Sequence, residues 1–133
     1  MENTFKIEII SPEKRIFHEE NVYEAVLPSY EGEIGILKDH IPIISFLKPG
    51  MLKILQSTDN TKSFFVEEGI IEFYQNCLTV LSSKIIDIQS LKKEKVSELI
   101  SEAETKLKDE KLDDNQRYLA QHKVEVLRNM NLN

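Results

Sequence analysis

The sequence has little cysteine and no long apolar run, and each shortage excludes a class of protein. Cys77 is the only cysteine among 133 residues, which rules out an internal disulfide and fits a reducing compartment. No apolar run approaches the ~20 residues of a membrane-spanning helix, and the first ten residues lack the basic start and apolar middle of a signal peptide. We therefore expect any membrane association to come through partners.

Positive charge is also scarce, and it is unevenly distributed. The chain has 23 acidic and 17 basic residues and a formal net charge of −6. Residues 1–89 hold 14 of the acids but only 8 Lys or Arg, whereas residues 90–133 hold nine of each. The acidic first part lacks a Lys/Arg cluster, which argues against nucleic acid as a partner because that affinity comes largely from positive charge.

Glycine and proline are absent after Gly69, and this marks an internal boundary near residue 88. Before it, short alternating apolar runs separated by turn residues predict an antiparallel β-sandwich of about ten strands at 1–88. The predicted strands are FKIEII, KRIFHEE, NVYEAVL, EIGIL, IPIISFL, MLKILQ, SFFVEE, IIEFYQ, CLTVLSS and KIIDI. Gly69 and the pair Gln75-Asn76 separate the later runs.

Residues 89–133 show two amphipathic patterns, which predict an antiparallel two-helix hairpin. The apolar stripes are Leu91, Val96, Leu99, Ile100, Ala103 and Leu107, then Leu119, Ala120, Val124, Leu127 and Met130. Asp87 or Ser90 is expected to cap the first helix, and Asp113 and Gln116 have capping-box spacing at the start of the second. The stripes can bury against each other, the sandwich or another protein, and we predict a mobile arm because such helices depend on tertiary contacts.

The residues that usually carry chemistry are few and scattered. His18, His40 and His122 are not at metal-ligand spacing, and Cys77 lies in an alternating strand as a small apolar residue. No phosphate-binding glycine loop or nucleophile motif is present. A lone loop histidine such as His40 is most often a contact residue. We therefore predict no metal, no cofactor and no self-contained active site.

The stretch LPSYEGEIGILKDHIPIISFLKPGM, residues 27–51, holds three of the four glycines and three of the four prolines. Its order EGEIGI, His40, Pro42 and LKPGML resembles that found in epsilon subunits of bacterial F-type ATP synthases. FKIEIISPEKRIF and FFVEEGIIEFYQNCLTVLSS are similar to the family's opening strands and later hairpin. The resemblance covers residues 5–88, and the tail is similar in being a helical hairpin.

This resemblance implies a non-catalytic rotor subunit of a proton-translocating complex. It would dock on the gamma subunit at the foot of the central stalk, touch the polar loops of the c-ring and couple the two. Its hairpin would transiently contact the catalytic alpha/beta hexamer and inhibit ATP hydrolysis. The complex would hold the chain peripherally at the cytoplasmic face of the bacterial cell inner membrane.

The resemblance also implies where gamma and the c-ring bind. Glu33 matches the acid beside the ring contact, and His40 and Pro42 match the loop that meets the rotor partners. The apolar residues expected nearby are Ile36, Leu37, Ile41 and Ile44. Strand alternation leaves open that about half of these side chains face the core.

Several positions depart from the family's pattern. Asp39 and Ile41 stand where the loop commonly has glycine and alanine. Some members bind ATP through an I-D-x-x-R-A motif, whose start Ile86 and Asp87 match, but Ser90 stands in place of the arginine. Without that charge-assisted phosphate contact we expect weak ATP binding or none, with Asp87 serving as a helix cap.

The tail limits the expected inhibition, and periodicity alone leaves an alternative function. Residues 113–133 contain three basic and three acidic side chains, a balance that does not favour an acidic loop of a catalytic subunit. We therefore expect modest inhibition. A stand-alone cytosolic β-sandwich adaptor that dimerises through its helical hairpin has the same pattern of strands and helices.

Overall fold

The computed structural model describes residues 3–130, which form eight β-strands, a short 3-10 helix and two α-helices. Their bounds are β1 Phe5–Ile10, β2 Arg15–Val22, β3 Glu24–Ser29, β4 Gly32–Ile36, β5 Ile43–Leu47, β6 Gly50–Ser57, β7 Asn60–Tyr74, β8 Cys77–Asp87, the 3-10 helix Ile88–Ser90, α1 Lys93–Leu107 and α2 Asp114–Arg128. The chain divides into two compact units, one ending at Ile86 and the other beginning at Asp87.

The described residues form eight strands rather than about ten, because two pairs of predicted strands are continuous. SFFVEE and IIEFYQ belong to the 15-residue strand β7, and CLTVLSS and KIIDI to the 11-residue strand β8. The break predicted at Gly69 was wrong, since this glycine lies inside β7 opposite Leu47. A Cβ atom there would lie 2.7 Å from the carbonyl oxygen of Leu81. Gly69 thus permits a close approach between strands instead of ending one.

The strands follow the order β2-β1-β8-β7-β5-β3-β4, and β6 pairs with β3 and β7. The long strand β7 pairs with β6 along its first part and with β5 along its second part. It therefore connects the two regions of the sheet that contain β6 and β5. The predicted break at Gln75-Asn76 is a two-residue turn between β7 and β8 with positive φ at both positions, as in type I′ hairpins. β1 and β8 pair in parallel, a feature that residue alternation does not predict.

Apolar side chains at alternate strand positions form the core of the sandwich. In β1, for example, Phe5, Ile7 and Ile9 are buried whereas Lys6 is exposed. The core cluster comprises Phe5, Ile7, Ile9, Val22, Ala25, Leu27, Ile36, Leu47, Leu52, Ile54, Phe64, Val66, Ile71, Phe73, Leu78 and Val80. Ile36 and Leu47 belong to β4 and β5, so the core fixes both strands that flank the loop 37–42.

The second unit is a hairpin of two 15-residue helices. Its predicted capping box is confirmed, since the Asp113 carboxylate accepts a hydrogen bond from the Gln116 backbone N–H at 2.7 Å and the Gln116 side chain accepts one from the Asp113 N–H at 3.1 Å. The predicted cap of the first helix was wrong. α1 begins after Lys92, whose side chain makes no capping hydrogen bond within the described structure, and Asp87 caps the preceding 3-10 helix instead.

A side chain of the second helix satisfies the end of the first. The guanidinium of Arg117 donates hydrogen bonds to the carbonyl oxygens of Leu107 at 2.9 Å and Asp109 at 3.1 Å. The Leu107 carbonyl is one of the terminal groups that an α-helix leaves without an internal partner, whereas Asp109 lies just beyond the end of α1. Arg128 also forms an ion pair with Glu104. Arg117 therefore explains how this hairpin turns without the glycine that commonly ends a helix.

Candidate functional site

The loop 37–42, which we call the binding loop, connects β4 to β5 through a tight turn. The backbone N–H of His40 donates to the carbonyl oxygen of Leu37 at 3.1 Å and closes the turn. Asp39, its third residue, has φ 66°, a left-handed conformation that glycine, asparagine and aspartate adopt most readily. Aspartate at this position, where the family commonly has glycine, therefore adopts a backbone conformation that glycine would also allow.

A second turn holds the binding loop from the side. The backbone N–H of Asp39 donates to the side-chain oxygen of Asn76 at 2.7 Å, and the Asn76 amide donates back to the Asp39 carboxylate at 2.9 Å. Asn76 lies in the β7–β8 turn, 37 residues further along the chain. The binding loop is thus attached to the sandwich at a point that sequence spacing does not show.

His40 is held in the binding loop by polar and aromatic contacts. Its Nδ1 atom lies 2.7 Å from the carbonyl oxygen of Ile41, to which it donates a hydrogen bond. Its ring meets Phe73 edge-on with 5.9 Å between centroids, and Phe73 in turn packs edge-on against Phe5 at 5.5 Å. Phe73 is a core residue. These contacts orient the imidazole as a structural part of the loop.

Apolar side chains are exposed on the binding loop and on the strand that follows it. Leu37 is 57% exposed and Ile41 is 74% exposed, and Pro42 at the end of the binding loop is also exposed. On β5, Ile44 is 70% exposed and Phe46 is 60% exposed. Contiguous exposed apolar surface of this kind marks protein-binding sites.

The strand β7 extends this surface beside β5. Phe46 pairs with Ile70 across the two strands, and Ile44 pairs with Glu72. Ile70 is exposed as well, so Ile44, Phe46 and Ile70 lie on the same outer side of the sheet. We call these three residues the apolar face. Phe46 and Ile70 were absent from the sequence-based site, although alternation from Ile44 indicates the first of them.

The other sequence-predicted site residues are placed differently. Ile36 is fully buried in the core, so its side chain does not belong to the exposed surface, as the alternation of a strand requires. Glu33 is exposed on β4, four residues before the binding loop begins, which is about 13 Å at the rise of a β-strand. The structure thus groups Leu37, His40, Ile41 and Pro42 in one loop and leaves Glu33 on the adjoining strand.

The junction that resembles an ATP motif contains a capping interaction. Ile86 and Asp87 are the last residues of β8, and the Asp87 carboxylate accepts a hydrogen bond from the Gln89 N–H at 3.0 Å. Within residues 3–130, no three His, Cys, Asp or Glu side chains are grouped so as to bind a metal. No helix of that same range is long and apolar enough to cross a membrane.

The fold and the exposed loop define the class, which is the β-sandwich type of ATP synthase delta and epsilon chains. The family model for the ATP synthase delta/epsilon chain β-sandwich domain matches residues 4–88. The ATP synthase epsilon chain of Pelagibacter ubique strain HTCC1062 is 48% identical over 131 residues, which are 98% of this chain and 100% of that relative. The corresponding chain of Delftia acidovorans is 38% identical over 109 residues, covering 82% of this chain and 78% of that one.

The chain belongs to the ATP synthase epsilon chain family, and it is a non-catalytic subunit. Two solved structures share its fold. A chain in the Euglena gracilis mitochondrial ATP synthase structure of OSCP, F1 and c-ring has a TM-score of 0.73 at 17% identity, covering 96% of this chain and 79% of that chain. A chain in the Tetrahymena thermophila central stalk and c-ring structure has a TM-score of 0.64 at 14% identity, covering 96% of both.

Proposed function

We propose that this chain is the rotor subunit that couples the c-ring to the gamma subunit in a bacterial, proton-translocating ATP synthase. Membership of the epsilon chain family supports this role, and the two solved structures of the same fold come from assemblies that include F1, the central stalk or the c-ring. The observation that carries the proposal is the exposed apolar binding loop, together with the apolar face on the strands β5 and β7. The complex would hold the chain peripherally at the cytoplasmic face of the bacterial cell inner membrane.

The chemistry of the two surfaces supports a different partner for each. The binding loop presents Ile41 and Pro42 beside the polar Lys38 and Asp39, a mixed surface suited to the polar loops of a c-ring. Glu33 lies on the adjoining strand and adds a further acidic group. The apolar face is a strand surface with Phe46 at its centre, which suits a broad, dry contact. We therefore assign the binding loop to the c-ring and the apolar face to gamma.

The hairpin is proposed to act as a modest inhibitor of ATP hydrolysis by contacting the alpha/beta hexamer. Few residues of its two helices are buried, namely Val96, Leu99 and Ala103 in α1 and Ala120 and Leu127 in α2. Helices with so small a buried stripe depend on further contacts for stability. An additional protein surface would supply them. Weak ATP binding or none is proposed for the junction at Ile86 and Asp87, because Asp87 already caps a helix.

A pull-down from detergent-solubilised membranes tests the rotor role, with this chain as bait. Wild type is expected to recover both gamma and the c-ring. Ile41→Glu is expected to reduce c-ring recovery at least about tenfold, since it replaces the most exposed apolar side chain of the binding loop by a charge. Thr61→Glu adds the same charge at an exposed position near the β6–β7 turn and serves as the matched control. Recovery of neither partner by wild type would refute the rotor role.

Deletion of residues 90–133 tests the inhibitory role separately. Reconstituted complexes containing the shortened chain are expected to hydrolyse ATP about fivefold faster, the low end of coupling between sites, because a charge-balanced tail binds weakly. Assembly with gamma and the c-ring should be unchanged, and complexes with the full-length chain are the control. Equal hydrolysis rates in the two complexes would exclude inhibition while leaving the rotor role intact.

A further inference from the structure

We propose that Asn76 is a positioning residue that, paired with Asp39, holds the binding loop in the conformation that its partner recognises. This inference rests on the proposed function of the binding loop. Its basis is the reciprocal pair of hydrogen bonds, in which one amide side chain accepts from the loop backbone and donates to the loop's own carboxylate. The sequence indicates a strand break at Asn76 and a departure from glycine at Asp39, but it does not connect the two residues.

The side chain of Asn76 matches both groups that the loop presents. Its oxygen accepts from the Asp39 backbone N–H and its nitrogen donates to the Asp39 carboxylate. An amide carries a donor and an acceptor on one planar group, whereas a carboxylate carries only acceptors. The pair therefore fixes both the backbone and the side chain of the residue at the tip of the turn, where φ is 66°.

Asn76 is itself held by the backbone of the sandwich. Asn76 is the second residue of the two-residue β7–β8 turn, and its φ of 58° belongs to that turn geometry. Its carbonyl oxygen accepts a hydrogen bond from the Lys6 N–H at 3.0 Å. Lys6 begins the parallel pairing of β1 with β8. Asn76 thus connects the binding loop to the interior strands of the sandwich.

This connection lowers the entropy that the loop loses on binding. Leu37 and Ile41 expose most of their surface, so burial of their own side chains does little to fix the loop. A loop that already adopts its bound backbone loses less conformational freedom when a partner docks. Asn76 accordingly contributes to affinity without touching the partner.

Exchanging the two side chains tests the pair. Asn76→Asp replaces the amide donor by an acceptor and places two carboxylates against each other, so the pair breaks. The double variant Asp39→Asn with Asn76→Asp restores one donor facing one carboxylate, and both residue types tolerate positive φ. Asn60→Asp adds the same charge near the other hairpin turn and is the control for charge alone.

Two measurements are made on the full-length chain: amide hydrogen exchange at Asp39 and His40 without a partner, and affinity for detergent-solubilised c-ring. Asn76→Asp is expected to accelerate exchange and weaken c-ring binding by about fivefold each, the effect of losing one or two exposed hydrogen bonds. The double variant should return both values to within about twofold of wild type. Asn60→Asp should change neither.

Unchanged exchange in Asn76→Asp would overturn the proposal, because the pair would then not hold the loop. Faster exchange with unchanged c-ring affinity would overturn the positioning role as well, provided that Ile41→Glu still weakens binding. If Ile41→Glu also leaves the affinity unchanged, the assignment of the loop to the c-ring fails, and the positioning role fails with it. The exchange data alone would then still report whether the hydrogen-bonded pair exists.

Discussion

Phe46→Glu is expected to weaken binding to purified gamma subunit about a hundredfold, or about 3 kcal/mol. Phe46 lies at the centre of the apolar face, between Ile44 on its own strand and Ile70 on β7. Its ring is 60% exposed in the free chain, so docking would bury a large aromatic surface. A glutamate there loses that burial and must also be desolvated without a partner for its charge.

The affinity for gamma, measured by titration calorimetry, checks this expectation. Phe46→Leu keeps an apolar side chain and should weaken binding far less, while Lys53→Glu changes an exposed residue of β6 and should have little effect. Because the Phe46 side chain is mostly outside the core, the unfolding midpoint of Phe46→Glu should stay near that of wild type. Wild-type affinity in a folded Phe46→Glu chain would remove the apolar face from the gamma contact.

Gly69→Ala is expected to destabilise the sandwich by about 2 kcal/mol, a typical effect of overpacking. The added methyl group would lie 2.7 Å from the carbonyl oxygen of Leu81 and 3.1 Å from the Cβ of Ser82. Neither is a flexible side-chain end that can move aside. The hydroxyl of Ser82 also donates to the carbonyl oxygen of Glu68 beside this glycine, and separating the strands would stretch that bond.

Denaturant unfolding of the full-length chain measures the effect, and Gly35→Ala is the matched control. A Cβ at Gly35 would meet only a carboxylate oxygen of Glu24, at 3.5 Å, which is an ordinary contact. We expect that variant to stay within about 0.5 kcal/mol of wild type. If the two variants lose the same free energy of unfolding, close strand approach is not the reason that position 69 requires glycine.

Local signals in the sequence predicted the elements that depend on neighbouring residues. The capping box was predicted from the three-residue spacing of Asp113 and Gln116, and the structure contains both of its hydrogen bonds. The alternation in FKIEII likewise predicted which side chains of β1 are buried. Both patterns act within one element, so reading the chain in order is sufficient to find them.

Features set by distant residues were not predictable in this way. The sequence does not distinguish a glycine that ends a strand from one that allows a neighbouring strand to approach closely. For Gly69, only the position of Leu81 makes this distinction. The Asp39–Asn76 pair joins two turns from different parts of the chain. Within the site, the alternation of side chains along a strand predicts that Ile36 and Leu37 face opposite sides of the sheet. It does not predict which of the two faces the core.

The parallel pairing of β1 with β8 affects how the protein is made. β1 lies between β2 and β8 in the sheet, so this strand lacks one of its two neighbours until β8 has been synthesised. Pairings between strands so distant in sequence form slowly, and unpaired strand edges are prone to aggregate meanwhile. During that interval the nascent chain exposes one backbone edge of β1, and emergence of β8 covers it.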